Sequence, residues 1–283
     1  MKQPSKLILL GCLALFAASC GDSTTTTTEK TTDSITVAPK PAVAEITLAD
    51  VPASPEFPGA AVSIASTKAT AQGPDSAKVA FAFNVKNYEL KNQTSDASGK
   101  MCNNSDKGQH IHFILDNTPY VALYEPKHEV TLPVNTEHYL IAFLSRSYHE
   151  SIKSEGAAVV YHFKIDEKGN LKKLEDPTTP MLFYSRPKGD YLGKDIENIL
   201  LDFYTWKAPL GADYTVKADV KNETTGANAS FSLNKWKPKF IKGLGEGKCA
   251  VTLTLMGKDG QPVAGPNTTM TRNFNTATQE PMK

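Results

Sequence analysis

Alternation with a period of two recurs along this chain. Val79, Phe81, Phe83 and Val85 interleave with Ala80, Ala82 and Asn84. Ile111, Phe113 and Leu115 interleave with His110, His112 and Ile114, and Val251, Leu253 and Leu255 with Thr252, Thr254 and Met256. Successive side chains of a strand leave opposite faces, so each run predicts a strand with one buried face. Turn-forming residues separate the runs: Asp116-Asn117, Glu167-Lys168-Gly169-Asn170 and Lys258-Asp259-Gly260. No long stretch carries a helical stripe. Residues 196–204 read as either helix or strand, with Ile199 to Tyr204 rich in aromatic and branched side chains. The fold class expected is all-β, as two tandem immunoglobulin-like β-sandwiches.

An approximate repeat supports two units. Strands expected near 79–85, 110–115, 130–132, 139–144 and 159–165 are followed by a similar series near 199–204, 214–220, 231–233, 249–256 and 270–274. Each half is about the size of a small sandwich. The turn-rich connector Asp176-Pro177-Thr178-Thr179-Pro180 lies between them. The division expected is residues 48–172 for the first sandwich and 173–283 for the second.

The first 47 residues read differently. Lys2 and Lys6 precede an apolar run from Leu7 to Ala18, too short to span a bilayer, which takes about 20 residues. Ala17-Ala18-Ser19 are small, and Cys20 follows directly. This resembles a bacterial lipobox, with Ala17 where Leu is usual. Residues 1–19 are expected to be a cleaved signal peptide and Cys20 to carry lipid. Cutting at Cys12 would leave too short an apolar run; an ordinary secreted protein cut near Ser19 is the other reading. Residues 20–47, with Thr24 to Thr28 in one run, have almost nothing to bury and read as a disordered tether. The chain is thus expected in the bacterial cell envelope, on the outer membrane, held by its N-terminal lipid.

Lys plus Arg number 31 and Asp plus Glu 30. That balance argues against nucleic acid as a partner, which calls for a basic surplus. Of four cysteines, Cys12 leaves with the leader and Cys20 is lipidated. Cys102 and Cys249 remain, as a disulfide of an oxidising compartment or as separate thiols.

Five of the six histidines fall between residues 110 and 149. His110 and His112 flank Ile111 on one strand, so their imidazoles leave the same face about 7 Å apart. Such a pair binds copper or zinc if a further ligand arrives from elsewhere. His149-Glu150, just past the strand expected at 139–144, is the best source of one. The same loop holds Arg146, Tyr148 and Ser151, a mix that also suits a polar or anionic ligand. A plain reading stays open beside these: a solvated or hydrogen-bonded strand face and a polar turn with an internal Arg146–Glu150 pair. Arg186 lies in a second polar stretch at the expected domain junction, as a ligand surface or a structured linker. His128, His138 and His162 have no partner at useful spacing. No Gly-x-Ser-x-Gly, phosphate loop, His-Glu-x-x-His or Cys-x-x-Cys occurs.

The segments Gln109 to Asn117, Pro119-Tyr120, Ser147 to Lys153, Phe183 to Tyr191 and Ile199 to Tyr204 together resemble a group of Bacteroidetes-type lipoproteins, over residues 75 to 275. Some of that group carry the label phosphopeptide-binding. The resemblance implies export and architecture more than any activity, and His110, His112, His149 and Glu150 are its motif residues here. The function expected is a non-catalytic ligand-binding role, with a transition metal as candidate ligand. An adhesive or assembly protein of the envelope is the second reading, and a metal-dependent enzyme with Glu150 as acid or base is the third.

Overall fold

The computed structural model describes residues 45–279. The expected leader, the lipidation site Cys20 and the tether up to residue 44 lie outside them. Seventeen strands make up the described chain. In its first part these are β1 Thr47–Asp50, β2 Ala61–Ala71, β3 Ser76–Lys86, β4 His110–Leu115, β5 Val121–Leu123, β6 Lys127–Pro133, β7 Thr136–Ser145, β8 Ala158–Ile165 and β9 Leu171–Lys173. Then follow β10 Met181–Arg186, β11 Tyr191–Leu192, β12 Ile199–Trp206, β13 Tyr214–Asn222, β14 Asn228–Leu233, β15 Lys239–Lys242, β16 Gly247–Gly257 and β17 Thr269–Ala277. Among the described residues the helices are two short 3-10 turns, at Ala97–Gly99 and Gly193–Glu197. None is long and apolar enough to cross a membrane. The ambiguous stretch after residue 196 is strand β12.

The strands form four sheets, in the orders β2-β3-β6, β5-β4-β7-β8-β9, β1-β15-β12-β10 and β11-β17-β16-β13-β14. The first two enclose one core, where Val79, Phe81 and Phe83 meet Ile111, Phe113, Leu140, Ala142 and Phe163. The other two enclose a second, where Leu182, Leu201 and Phe203 meet Val216, Val251, Leu253 and Leu255. The period-two pattern therefore becomes all-β sandwich packing. The pairing orders differ between the two sheet pairs, so the similar strand spacing does not extend to the same connectivity.

A third apolar layer lies between the pairs. Ile114, Ile141, Phe143 and Val160 leave the back of the β5-β4-β7-β8-β9 sheet and meet Met181, Phe183 and Tyr204 from the back of the β1-β15-β12-β10 sheet. The inner strands are consequently buried on both faces: all six residues of β4 and all six of β10 are buried. The alternation predicted one buried face for β4. Its His110, His112 and Ile114 are instead roofed by another sheet, the situation that turns a strand's alternation into a continuously buried run.

The start of the described chain departs from the expected division. Ile46 is buried in the second core, and β1 pairs antiparallel with β15, Leu48 opposite Ile241. The tether expected to run to residue 47 thus ends in ordered backbone, and residues 48–50, assigned to the first sandwich, belong to the second sheet pair. The reason is an unpaired edge: β15 offers its free side, and a four-residue strand fills it.

Candidate metal centre

His110 and His112 leave the same face of β4, as their spacing requires. Opposite them on β7 lie Ser145 and Phe143. Beyond Ser145 the chain makes a tight reversal, with His149 N–H donating to the Arg146 carbonyl at 2.9 Å and Arg146 N–H to that of Glu150 at 2.9 Å. His149 sits at φ +68° within it. A non-glycine residue in the left-handed region is uncommon, and His is among the types that tolerate it. This conformation turns the imidazole back over β4.

Three ring nitrogens converge as a result. His110 Nε2 lies 2.9 Å from His112 Nε2 and 3.1 Å from His149 Nδ1. The three residues each place one ligand nitrogen within 4.8 Å of the others, and all are buried. An ion about 2.0–2.1 Å from each nitrogen sets neighbouring ligands about 2.9 Å apart at a right angle and about 3.3 Å apart at a tetrahedral one. The two measured separations fall in that interval.

The far sides of the rings are fixed by partners the sequence reading did not assign to the site. His110 Nδ1 faces the Gly108 carbonyl at 2.8 Å. A carbonyl only accepts, so this nitrogen carries the proton and Nε2 of the neutral ring keeps its lone pair. His112 Nδ1 lies 3.0 Å from Ser185 Oγ of β10. Tyr120 stacks on His112 with ring centroids 3.6 Å apart and holds its hydroxyl 3.1 Å from His149 Nδ1. Gly108 and Ser185 are outer partners of the kind that orient metal-binding imidazoles, whereas the Tyr120 hydroxyl faces the inner nitrogen of His149 that a metal would use.

One proton arrangement of the neutral rings gives each converging nitrogen a partner: His112 Nε2–H donates to His110 Nε2, Ser185 Oγ–H to His112 Nδ1 and Tyr120 Oη–H to His149 Nδ1. It leaves the 3.1 Å contact between His110 Nε2 and His149 Nδ1 as two lone pairs face to face, a contact that a cation at the convergence would make favourable. Burial keeps the rings neutral, as metal binding requires. It lowers His110 to about 4, against the pull of the Gly108 carbonyl, with the Arg186 and Lys188 charges adding to the effect. Burial likewise lowers His112 and His149 well below the usual histidine range. For His112 the facing imidazoles add to this, and for His149 chiefly Arg186.

Glu150 does not join the cluster. Its carboxylate accepts from Arg146 at 3.1 Å and from Ser54 at 2.8 Å. The left-handed backbone at His149 turns the chain so that Glu150 meets Arg146 and Ser54 rather than β4. Burial raises the Glu150 carboxyl, and Arg146 opposes that. Arg146 also donates to the Pro55 and Ser151 carbonyls, at 2.5 and 3.4 Å. Ser151 is tied by its amide to Asp202 at 3.0 Å, and Tyr148 is buried, its ring 5.4 Å from Lys100 Nζ. The loop proposed as an anion pocket thus has its one arginine already neutralised, and it braces the turn that aims His149.

Arg186 ends β10 next to Ser185 and lies buried behind Tyr120, its guanidinium carbon 5.4 Å from that ring. Cys102 and Cys249 are free thiols in separate places, which corrects the disulfide alternative. Cys249 faces the second core, with Thr276 Oγ1 at 3.5 Å, whereas Cys102 lies near Arg186 and Asp195, where burial raises its thiol to about 12. The remaining histidines serve elsewhere: His138 contacts Asp116 and Thr136, and His162 contacts Glu137. No protein-family model matches this chain, and a comparison with curated proteins gives no match.

Proposed function

We propose that this chain is an exported, membrane-anchored lipoprotein whose folded body binds a transition metal, copper or zinc, without catalysing a reaction. The anchor rests on the sequence around Cys20. The metal rests on one observation: three buried neutral imidazoles bring ligand nitrogens within 4.8 Å of one another, with the outer nitrogens of His110 and His112 held by Gly108 and Ser185. With the other ring nitrogens hydrogen-bonded, the 3.1 Å approach of His149 Nδ1 to His110 Nε2 sets two lone pairs face to face, and an ion there would accept both. Binding is favoured over reaction because the carboxylate offered as acid or base, Glu150, is engaged with Arg146 and Ser54.

The test is elemental analysis and metal titration of the full-length chain beside His110→Ala/His112→Ala, with circular dichroism to establish that both fold. One copper or zinc per chain is expected in the first. The second should lose at least a hundredfold in affinity, because a single imidazole remains. Equal, weak binding by both proteins removes the metal reading.

A further inference from the structure

Two arginines are buried near the metal centre, and they are treated differently. Arg146 forms an ion pair with Glu150. Arg186, 4% exposed, has no carboxylate partner among the described residues. Its Nη1 donates to the Lys188 carbonyl and to Tyr191 Oη, both at 3.1 Å, and its Nη2 reaches Asn103 Oδ1 at 3.4 Å. Its Nε is buried with no partner. Asn103 in turn donates its amide to Asp195 at 2.7 Å. Lys188 adds a second positive charge, its Nζ 4.2 Å from the Tyr120 ring centre and donating to the Tyr120 carbonyl at 2.8 Å. Buried charges in folded proteins are paired, because an uncompensated one keeps its desolvation cost. A divalent ion on three neutral imidazoles would add two more positive charges beside this guanidinium.

We propose that the metal-loaded centre takes a carboxylate or small oxyanion, bound between the ion's open coordination position and Arg186. The inference rests on the metal reading above. Three protein ligands leave a metal a position for an outside ligand. A planar guanidinium with an unused N–H suits an anion that has a second oxygen to offer. A surface cleft of about 660 Å³, lined in part by Cys102, Asn104 and Asp195, lies beside Asn103, the residue that touches Arg186.

The experiment uses the full-length chain loaded with copper(II), which binds nitrogen sites more tightly than its neighbours in the first row. Azide is the probe, titrated in buffer free of chloride and carboxylates and followed by the azide-to-copper charge-transfer band. Acetate is the competitor. The wild type should bind azide saturably, with acetate displacing it. Arg186→Met should keep one copper per chain and bind azide at least tenfold more weakly. A second measurement needs no variant: at constant ionic strength, acetate should tighten copper binding by the wild type, since linkage is reciprocal. Copper held at full stoichiometry with no azide binding, equal azide affinity in Arg186→Met, or copper affinity indifferent to acetate would each overturn the anion site and leave the metal site standing. A wild type that takes up no copper would remove both.

Discussion

The space between the two inner sheets is closed at both ends, by opposite means. At one end, Ile114 of β4 and Phe143 of β7 meet Met181 and Phe183 of β10 in an apolar layer. Two to four residues along the same strands, His110 and His112 meet Ser185, with Arg186 beside it. The strands, the faces and the degree of burial are shared, and only the side chains change. An apolar filling completes itself by contact. The polar one stays incomplete: lone pairs face one another at His110 Nε2, and Arg186 has an unmet N–H. An interlayer that elsewhere is filled with Phe and Ile accepts such groups at a cost to stability. That contrast is what supports the proposed metal site at this end.

The contrast can be tested from both sides. The largest effect belongs to the apolar end. Phe183→Ala removes a fully buried ring and should cost about 3–5 kcal/mol in urea unfolding, with metal affinity unchanged within about twofold. A variant that lost metal binding in proportion would show that the two ends are one unit.

Acid should act on the polar end alone. His110 is lowered to about 4 in the fold from an ordinary 6.5. Between these values the unfolded chain takes up the proton and the folded chain does not, so stability falls as pH drops through this window. For His110 the loss is on the order of 3 kcal/mol in the metal-free protein. Unfolding of chelator-treated wild type and His110→Phe, compared at pH 7 and pH 4.5, reads it: the variant should show the shallower decline, and parallel profiles would refute the assignment.

The smallest effect separates the hydroxyl that steadies His112 from the ring itself. Ser185→Ala should weaken metal binding about tenfold, the lower end of what losing an outer partner does, while shifting stability by only about 1 kcal/mol. Unaltered metal affinity would make Ser185 a bystander.

Much of this arrangement is readable in the primary structure, and the unreadable part has a definite cause. The pairing of His110 with His112 on one strand face, and of Ile111 with Phe113 on the other, follows from local alternation, and the structure has both. His149 is reachable as a third ligand because its turn follows directly on β7. That Glu150 points elsewhere was not readable, because the left-handed backbone at His149 that settles the direction has no marker of its own. Ser185 and Arg186 are different. Their roles come from a second sheet laid over the first, and Ser185 is 73 positions from the His112 it touches. Nothing in the period of β4 announces that its polar face will be roofed. The free cysteines follow the same rule: only long-range packing decides that Cys249 enters a core while Cys102 stays near Arg186.

Strand β1 carries a mechanical consequence. Residues 47–50 are stitched to β15, so the chain enters the fold through the sheet built mostly from its last hundred residues. The intervening stretch that bears the imidazoles is consequently a closed loop, pinned at both ends to one scaffold. A nick in the connector between β9 and β10 would leave the two fragments interlocked. Any tension applied from the N-terminal side would be met first at the β1–β15 seam, far along the sequence from the histidines.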